Sequence, residues 1–288
     1  MKILQAIVNY SITYSEPIIN CFKHDKLCLM DVHSDPDYNR MVVTVLGDPE
    51  ALVDCLFHSV KRASELIDLR NHEGVHPFIG ATDVIPLVPL EDISISEAID
   101  YANKLAKRVS ELGIPVFLYE KAKDNRKLPA IRKGGLRGLK ERLANNEIMF
   151  DYGARLHESA GASVIGVRDP LIAYNVTLDS QDLSLARQIA RQIRESNGGL
   201  EALSAIGVYC QTLGKVQVSC NLRDYKITSL DDVFNEIERL SDNILSSEII
   251  GCVFRDCISN PDRLKLTRFD EDMIIESWVS RYKQRVEP

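Results

Sequence analysis

No run of this chain approaches the ~18 consecutive apolar residues that a membrane-crossing helix needs. Its start lacks the long apolar core of a signal peptide. Met1-Lys2-Ile3-Leu4-Gln5-Ala6-Ile7-Val8-Asn9 reads instead as a first strand, so the cytosol is the expected compartment. No Cys-x-x-Cys occurs among the seven cysteines, Cys21, Cys28, Cys55, Cys210, Cys220, Cys252 and Cys257. Buried free thiols are expected, and no structural zinc site. Neither a Walker loop nor a Gly-x-Gly-x-x-Gly is present, which excludes the usual phosphate loops. A short internal repeat is also missing. With 45% apolar and 27% charged residues, the composition excludes disorder, collagen and disulfide scaffolds.

What is present is a chain of 288 residues, enough for one large domain or two modest ones. The formal charge is −7, which disfavours nucleic acid and anionic membranes as partners. That charge is unevenly spread. Residues 121–142 carry nine Lys or Arg against Asp124 and Glu141, a local balance of +7 that leaves −14 for the rest. Such a block suits a small anion, and equally a solvated surface.

Periodicity divides the chain into two halves. Residues 2–9 and 41–47 read as strands. Asp48-Pro49 opens a helix whose apolar face runs Leu52, Cys55, Leu56, Val60, Ala63, with small Ser59 among them. Ser94-x-x-Glu97 is a capping box for a second helix, ended by Gly113 before a strand at 114–119. Asn71–Pro89, rich in Gly, Pro and His, lies between these helices and reads as irregular. The second half predicts a strand at 171–178, a helix at 180–197, strands at 204–210 and 215–221, a helix from Ser229 to about 244, and a strand at 247–254. That is the β-α-β-β-α-β order of a ferredoxin-like unit. A terminal helix is expected at about 269–285. The fold class is therefore α+β, an α/β sandwich of two subdomains, each a β-sheet covered by helices and the second ferredoxin-like. Residue 169 precedes a proline and resists helix, which sets the expected domains at 1–170 and 171–288. A cleft between two such units is the usual place for a ligand.

Four groups of residues could carry chemistry. The first is Asn71-His72-Glu73-Gly74-Val75-His76-Pro77-Phe78-Ile79-Gly80-Ala81-Thr82-Asp83. Its imidazoles can move protons near neutral pH, Asp83 could orient one, and its glycines let backbone approach a ligand. Turn caps and carbonyl contacts would use the same histidines. The string His72-Glu73-x-x-His76 resembles a zinc-protease motif, but that motif needs a helix, which Gly74 and Pro77 oppose. The second group, Asp31-Val32-His33-Ser34-Asp35-Pro36-Asp37-Tyr38-Asn39-Arg40, reads as a solvated turn before a strand. The third, Asp151 to Ala162, is a Gly-bounded loop that could offer N–H groups to an anion. The fourth is a set of polar strand positions, Asn175, Gln217, Ser219 and Asn221, whose amides can read the edge of a heterocycle or simply form a polar sheet face.

Taken together these segments resemble the formiminotransferase domain family. The collinear landmarks include Asn39-Arg40-x-Val42-x-Thr44-x-x-Gly47, His72-x-Gly74-x-His76-Pro77-x-x-Gly80-Ala81-x-Asp83, Leu128-x-x-Ile131-Arg132, Asp151-x-Gly153, Gly161-Ala162, Gly166-x-Arg168, Ala173-x-Asn175 and Gln217-Val218-Ser219-x-Asn221-Leu222. The resemblance implies two α/β subdomains with a folate cleft between them, and a homodimer. It also implies transfer of the formimino (or formyl) group between N-formiminoglutamate and N5 of tetrahydrofolate, a step of histidine breakdown. By the same resemblance His76 is the acid–base residue. The folate loop is Gly153, Ala154, Arg155, Leu156, His157, Glu158, Ser159, Ala160 and Gly161. Asn39, Arg40, Asp83, Arg168, Asn175, Gln217 and Asn221 are the remaining substrate-binding positions. Tetrahydrofolate is the co-substrate, no metal is implied, and the cyclodeaminase domain of animal members has no counterpart in this length. Arg40, Arg168 and the basic block would meet substrate carboxylates.

The chain departs from the family pattern at four places. Asn9-Tyr10-Ser11-Ile12-Thr13 lacks the acid and glycine of the usual Asn-Phe-Ser-Glu-Gly. Phe78 stands where Arg usually follows His-Pro. His33 replaces an Asp of animal members, and Ala154 a Pro. A folate-binding homologue without catalysis, or a transferase using another donor, are the alternatives these departures leave open.

Overall fold

The computed structural model describes residues 1–74 and 77–286. They divide into two compact units, Met1–Arg168 with the chain from Arg281, and Asp169–Ser280.

In the first unit six strands, β1 (Ile3–Tyr10), β2 (Leu27–Asp35), β3 (Arg40–Gly47), β4 (Thr82–Glu91), β5 (Val116–Glu120) and β6 (Ser163–Val167), form one sheet in the order β2-β3-β1-β4-β6-β5. The pairs β2–β3, β3–β1 and β1–β4 are antiparallel, whereas β6 runs parallel to both β4 and β5. Parallel neighbours need crossovers. These are supplied by α3 (Ile95–Glu111) and by α4 (Leu128–Arg132) with α5 (Gly135–Ala144). The remaining helices of this half are the short α1 (Glu16–Ile19) and α2 (Pro49–Leu66).

The caps expected from sequence form. Asp48 accepts the Ala51 N–H at 3.0 Å, and Ser94 and Glu97 close their reciprocal box. One face of β1 (Leu4, Ala6, Val8, Tyr10) joins Leu52, Leu56 and Val60 of α2 and Leu105 and Val109 of α3 in a single core. Tyr10 is fully buried and donates its hydroxyl to Ser59 at 2.7 Å. That bond accounts for the small polar residue on the apolar face of α2. Strand alternation then turns Gln5 and Asn9 to the opposite face.

The second unit joins β7 (Ile172–Leu178), α6 (Leu183–Ile193), β8 (Leu203–Cys210), β9 (Lys215–Leu222), α7 (Leu230–Leu240) and β10 (Ile244–Ile250). Its sheet has the order β10-β7-β9-β8 with every pair antiparallel, the ferredoxin-like arrangement. Tyr174, Val176, Leu178 and Val218 pack on Ile189, Val233 and Phe234. Both subdomains are thus sheets covered by helices, the α+β class expected.

Three elements differ from the sequence reading. Asp31, His33 and Asp35 lie in β2 rather than in a solvated turn, with His33 opposite Val42. The stretch expected to be irregular contains β4, an inner strand of the sheet. Its prolines hide it, because a proline argues against an inner strand. Pro86 sits opposite Gly166 and Pro89 beside a register shift against β1. The terminal helix α8 (Ile275–Val286) begins after a 3₁₀ turn capped by Asp270, and its end belongs to the first unit. There Lys283 pairs with Glu91, and Arg285 donates to the Leu27 carbonyl at 2.5 Å.

Five of the seven cysteines, Cys28, Cys55, Cys210, Cys220 and Cys257, are buried. No helix among the described residues is long and apolar enough to cross a membrane.

Candidate functional site

The first unit carries a small open pocket where β1 ends. Asn9 reaches it because Tyr10, its neighbour, points into the core. Across the sheet Arg40 opens β3, and its Nε donates to Asn9 Oδ1 at 2.9 Å. Burial pulls the Arg40 guanidinium down to about 10, assisted by the charge of Arg132 and opposed by Asp83. It remains a cation at neutral pH.

Asp83 forms the pocket's back wall from the second position of β4. One of its oxygens accepts the Ile79 N–H at 2.8 Å, and the other takes a guanidinium nitrogen of Arg132. Arg132 ends α4 and is the member of the basic block that reaches the pocket wall. Other members serve the fold: Arg126 donates to the Leu118 carbonyl at 2.8 Å, Lys127 to Glu120 at 2.7 Å, and Arg142 to the Ala130 carbonyl at 2.9 Å. Asp83 and Asp35 both act on the Arg40 charge. A guanidinium at a pocket wall can meet a substrate carboxylate.

Asn39 ties the pocket's rim together. It occupies the left-handed region (φ 45°) between β2 and β3, a conformation asparagine tolerates better than most residues. Its Oδ1 accepts from Thr13 at 3.0 Å. Its amide donates to the Glu73 carbonyl at 2.8 Å and contacts His72 Nδ1 at 3.3 Å. The His72 ring meets Phe78 edge-on, with centroids 4.4 Å apart. Burial lowers the His72 pKa, and the Asp83 charge opposes that shift. His72, Glu73 and Gly74 are not helical, so the described part of the zinc-protease string lacks the backbone it needs. His76 lies outside the described residues.

The loop from Gly153 to Gly161 is joined to this region by backbone bonds. Leu69 N–H donates to the Ser159 carbonyl at 2.8 Å, Ala81 to Ala160 at 2.9 Å, and Ala162 to Ile79 at 2.9 Å. The close approach explains two glycines. A Cβ on Gly80 would sit 2.1 Å from the Ala162 carbonyl oxygen, and one on Gly161 (φ +68°) 2.1 Å from that of Ile79. Within the loop, His157 and Gly161 exchange backbone bonds at 3.1 Å, and His157 Nδ1 accepts the Ala160 N–H at 3.0 Å. Those N–H groups are already used. Glu158 pairs with Arg70 at 3.1 Å, while Gly153, Ala154 and Arg155 are exposed and Leu156 half-buried.

Other expected positions are not among the residues that line the pocket. Arg168 follows β6, its backbone bonded to Leu87 and its side chain to the Tyr119 hydroxyl. Asn175, Gln217 and Asn221 belong to the second unit. Asn175 donates to Glu248 at 3.1 Å, Gln217 contacts the same carboxylate at 3.4 Å, and Asn221 is exposed. Two residues beyond the expected positions stand out, Arg132 and Glu248. Arg132 belongs to the basic block and to the landmark Leu128-x-x-Ile131-Arg132, and its ion pair with Asp83 gives it a place at the pocket wall. Glu248 stands directly opposite Asn175 in the β10–β7 register, a relationship visible once those strands are paired.

The chain was compared with known proteins. A family model described as the formiminotransferase domain, N-terminal subdomain, matches residues 3–168, and one described as the formiminotransferase domain matches residues 173–275. A glutamate formimidoyltransferase of Streptococcus pyogenes serotype M1 is 38% identical over 264 residues, covering 87% of this chain and 88% of that protein. One from Thermoplasma acidophilum is 35% identical over 293 residues, 96% of this chain and 97% of that protein. The formimidoyltransferase-cyclodeaminase of Mus musculus is 34% identical over 272 residues, 88% of this chain and 50% of that protein.

Proposed function

The chain belongs to the formiminotransferase domain family, and from that premise we propose that it transfers the formimino group of N-formiminoglutamate to N5 of tetrahydrofolate. The observation that carries this reading is the pocket of the first unit. Its Arg40 guanidinium lines the wall beside Asp83, whose carboxylate is bound by Arg132, and a guanidinium at the wall suits an acidic donor. Residue 76 falls in sequence between His72 and Phe78, both of which line the pocket.

The chemistry asks for one base that becomes an acid. N5 attacks the formimino carbon and a new C–N bond forms. The His76 imidazole takes the N5 proton, then delivers it to the glutamate nitrogen as the old C–N bond breaks. Arg40 holds a donor carboxylate, while Asp83 keeps Arg132 in place. The loop Gly153–Gly161, with Arg168, Asn175, Gln217 and Asn221, binds the folate. The same reading makes the protein a cytosolic homodimer of histidine breakdown that works without metal. A different, less charged donor is the second reading. It is favoured by Phe78, whose apolar ring lines the pocket where the family pattern has Arg.

The test is a transfer assay with purified protein, tetrahydrofolate and N-formiminoglutamate. Acid converts the product to methenyltetrahydrofolate, which is read by absorbance. Wild type is expected to form product, and His76→Ala to lose turnover while keeping its fold. Equal turnover in that variant removes the acid–base assignment. No product from wild type, with folate still bound, replaces the enzyme by a folate-binding homologue or one with another donor.

A further inference from the structure

In the second unit, the sheet face turned away from the core brings four polar side chains together. Asn175 stands opposite Glu248, and Thr177 opposite Gln217. Asn175 donates to Glu248 Oε1 at 3.1 Å. The Gln217 amide donates to Thr177 Oγ1 at 3.0 Å and lies 3.4 Å from the same Glu248 oxygen.

The cluster has more acceptors than donors. Gln217 is only 3% exposed, yet its carbonyl oxygen is buried without a hydrogen-bond partner. Burying an acceptor unmet is costly, so such an atom calls for an explanation. Turning the amide over gives no relief. Its oxygen would then face the Glu248 carboxylate, and its NH₂ would be the buried group left unmet.

A ligand with adjacent N–H donors would meet these acceptors. A carboxylate and a carboxamide oxygen side by side match the edge of a cyclic acylguanidine, whose ring N–H and amino N–H are neighbours. We propose that Glu248 and Gln217 recognise the 2-amino-4-oxopyrimidine edge of a reduced folate, with Asn175 holding the Glu248 carboxylate in register. This assignment rests on the folate reading above and adds to it the residues that select the pterin ring.

The test measures binding of three probes to the full chain by calorimetry: 5-formyltetrahydrofolate, free pterin, and p-aminobenzoylglutamate, which keeps the folate tail without the ring. Wild type is compared with Glu248→Gln, which keeps shape and reverses an acceptor, and with Gln217→Met, which removes the amide. Both variants are expected to bind 5-formyltetrahydrofolate and pterin at least about tenfold more weakly and p-aminobenzoylglutamate unchanged. Either folded variant holding pterin and 5-formyltetrahydrofolate as tightly as wild type overturns the assignment and leaves the folate reading standing. Equal weakening of all three probes also overturns it, because the effect is then not specific to the ring. If wild type binds none of the three, the folate reading itself fails and the assignment falls with it.

Discussion

Arg132 and Asp83, 49 positions apart in sequence, form a buried ion pair at the back of the pocket, with side-chain exposures of 11% and 5%. The carboxylate is held on both oxygens, by the guanidinium and by the Ile79 N–H. Attraction within such a pair is largely offset by the cost of taking two charges out of water. The pair is therefore better read as a positioning device than as a source of stability. It fixes the turn at 79–83, which leads into β4, and holds the end of α4 against it.

Removing one partner is a different matter, because the other charge stays buried and uncompensated. Asp83→Asn is expected to cost about 3–5 kcal/mol in urea unfolding, far more than an ordinary surface change. The double variant Asp83→Asn with Arg132→Met should recover part of that loss. If Asp83→Asn unfolds within about 1 kcal/mol of wild type, the pair does not hold this corner together.

Asn39 combines a backbone role with a side-chain role, and two substitutions separate them. Asn39→Gly keeps the left-handed turn at φ 45° and removes the bonds to Thr13 and Glu73. Asn39→Ala removes the bonds and strains the turn as well. Alanine is expected to be less stable than glycine by about 1 kcal/mol, measured by thermal and urea unfolding. Equal stabilities would place the whole effect in the side chain.

Much of the fold was legible because each half carries its own periodic signal. The capping boxes at Ser94 and Ser229 and the Asp48 cap mark helix starts by local chemistry, and all three form. β4 was hidden because Pro86 and Pro89 mimic a loop, and only pairing with β1 and β6 makes it a strand. The same limit applies to the site. Asn39, Arg40 and Asp83 could be named from sequence, but nothing local says that Asp83 meets Arg132 rather than an imidazole. Charge composition showed a basic block and could not show which of its members turns inward. The family resemblance supplied His76 and the loop Gly153–Gly161. The backbone bonds from Ile79 and Ala81 then explain why that loop's Gly161 admits no side chain.

His72 offers the clearest pH dependence. Burial holds its pKa below the ordinary 6.5. Its contact with Asn39 acts in the same direction. The two Asn39 amide protons go to the Glu73 carbonyl and to His72 Nδ1. Nδ1 is thus an acceptor, and the proton of the neutral ring sits on Nε2. Protonation would set N–H against N–H and release the rim. A histidine whose pKa is depressed by folding binds its proton more readily in the unfolded chain. Its contribution to stability is present above the unfolded pKa and is lost as pH falls through the lower, folded one. Wild type should therefore lose stability on going from about pH 7 to about pH 5, and His72→Gln, which has no group titrating there, should lose less. Denaturation midpoints for both proteins across that range measure the difference. Parallel curves would mean that the imidazole titrates in the folded protein as it does in the unfolded chain, and that the Asn39 contact does not select its neutral form.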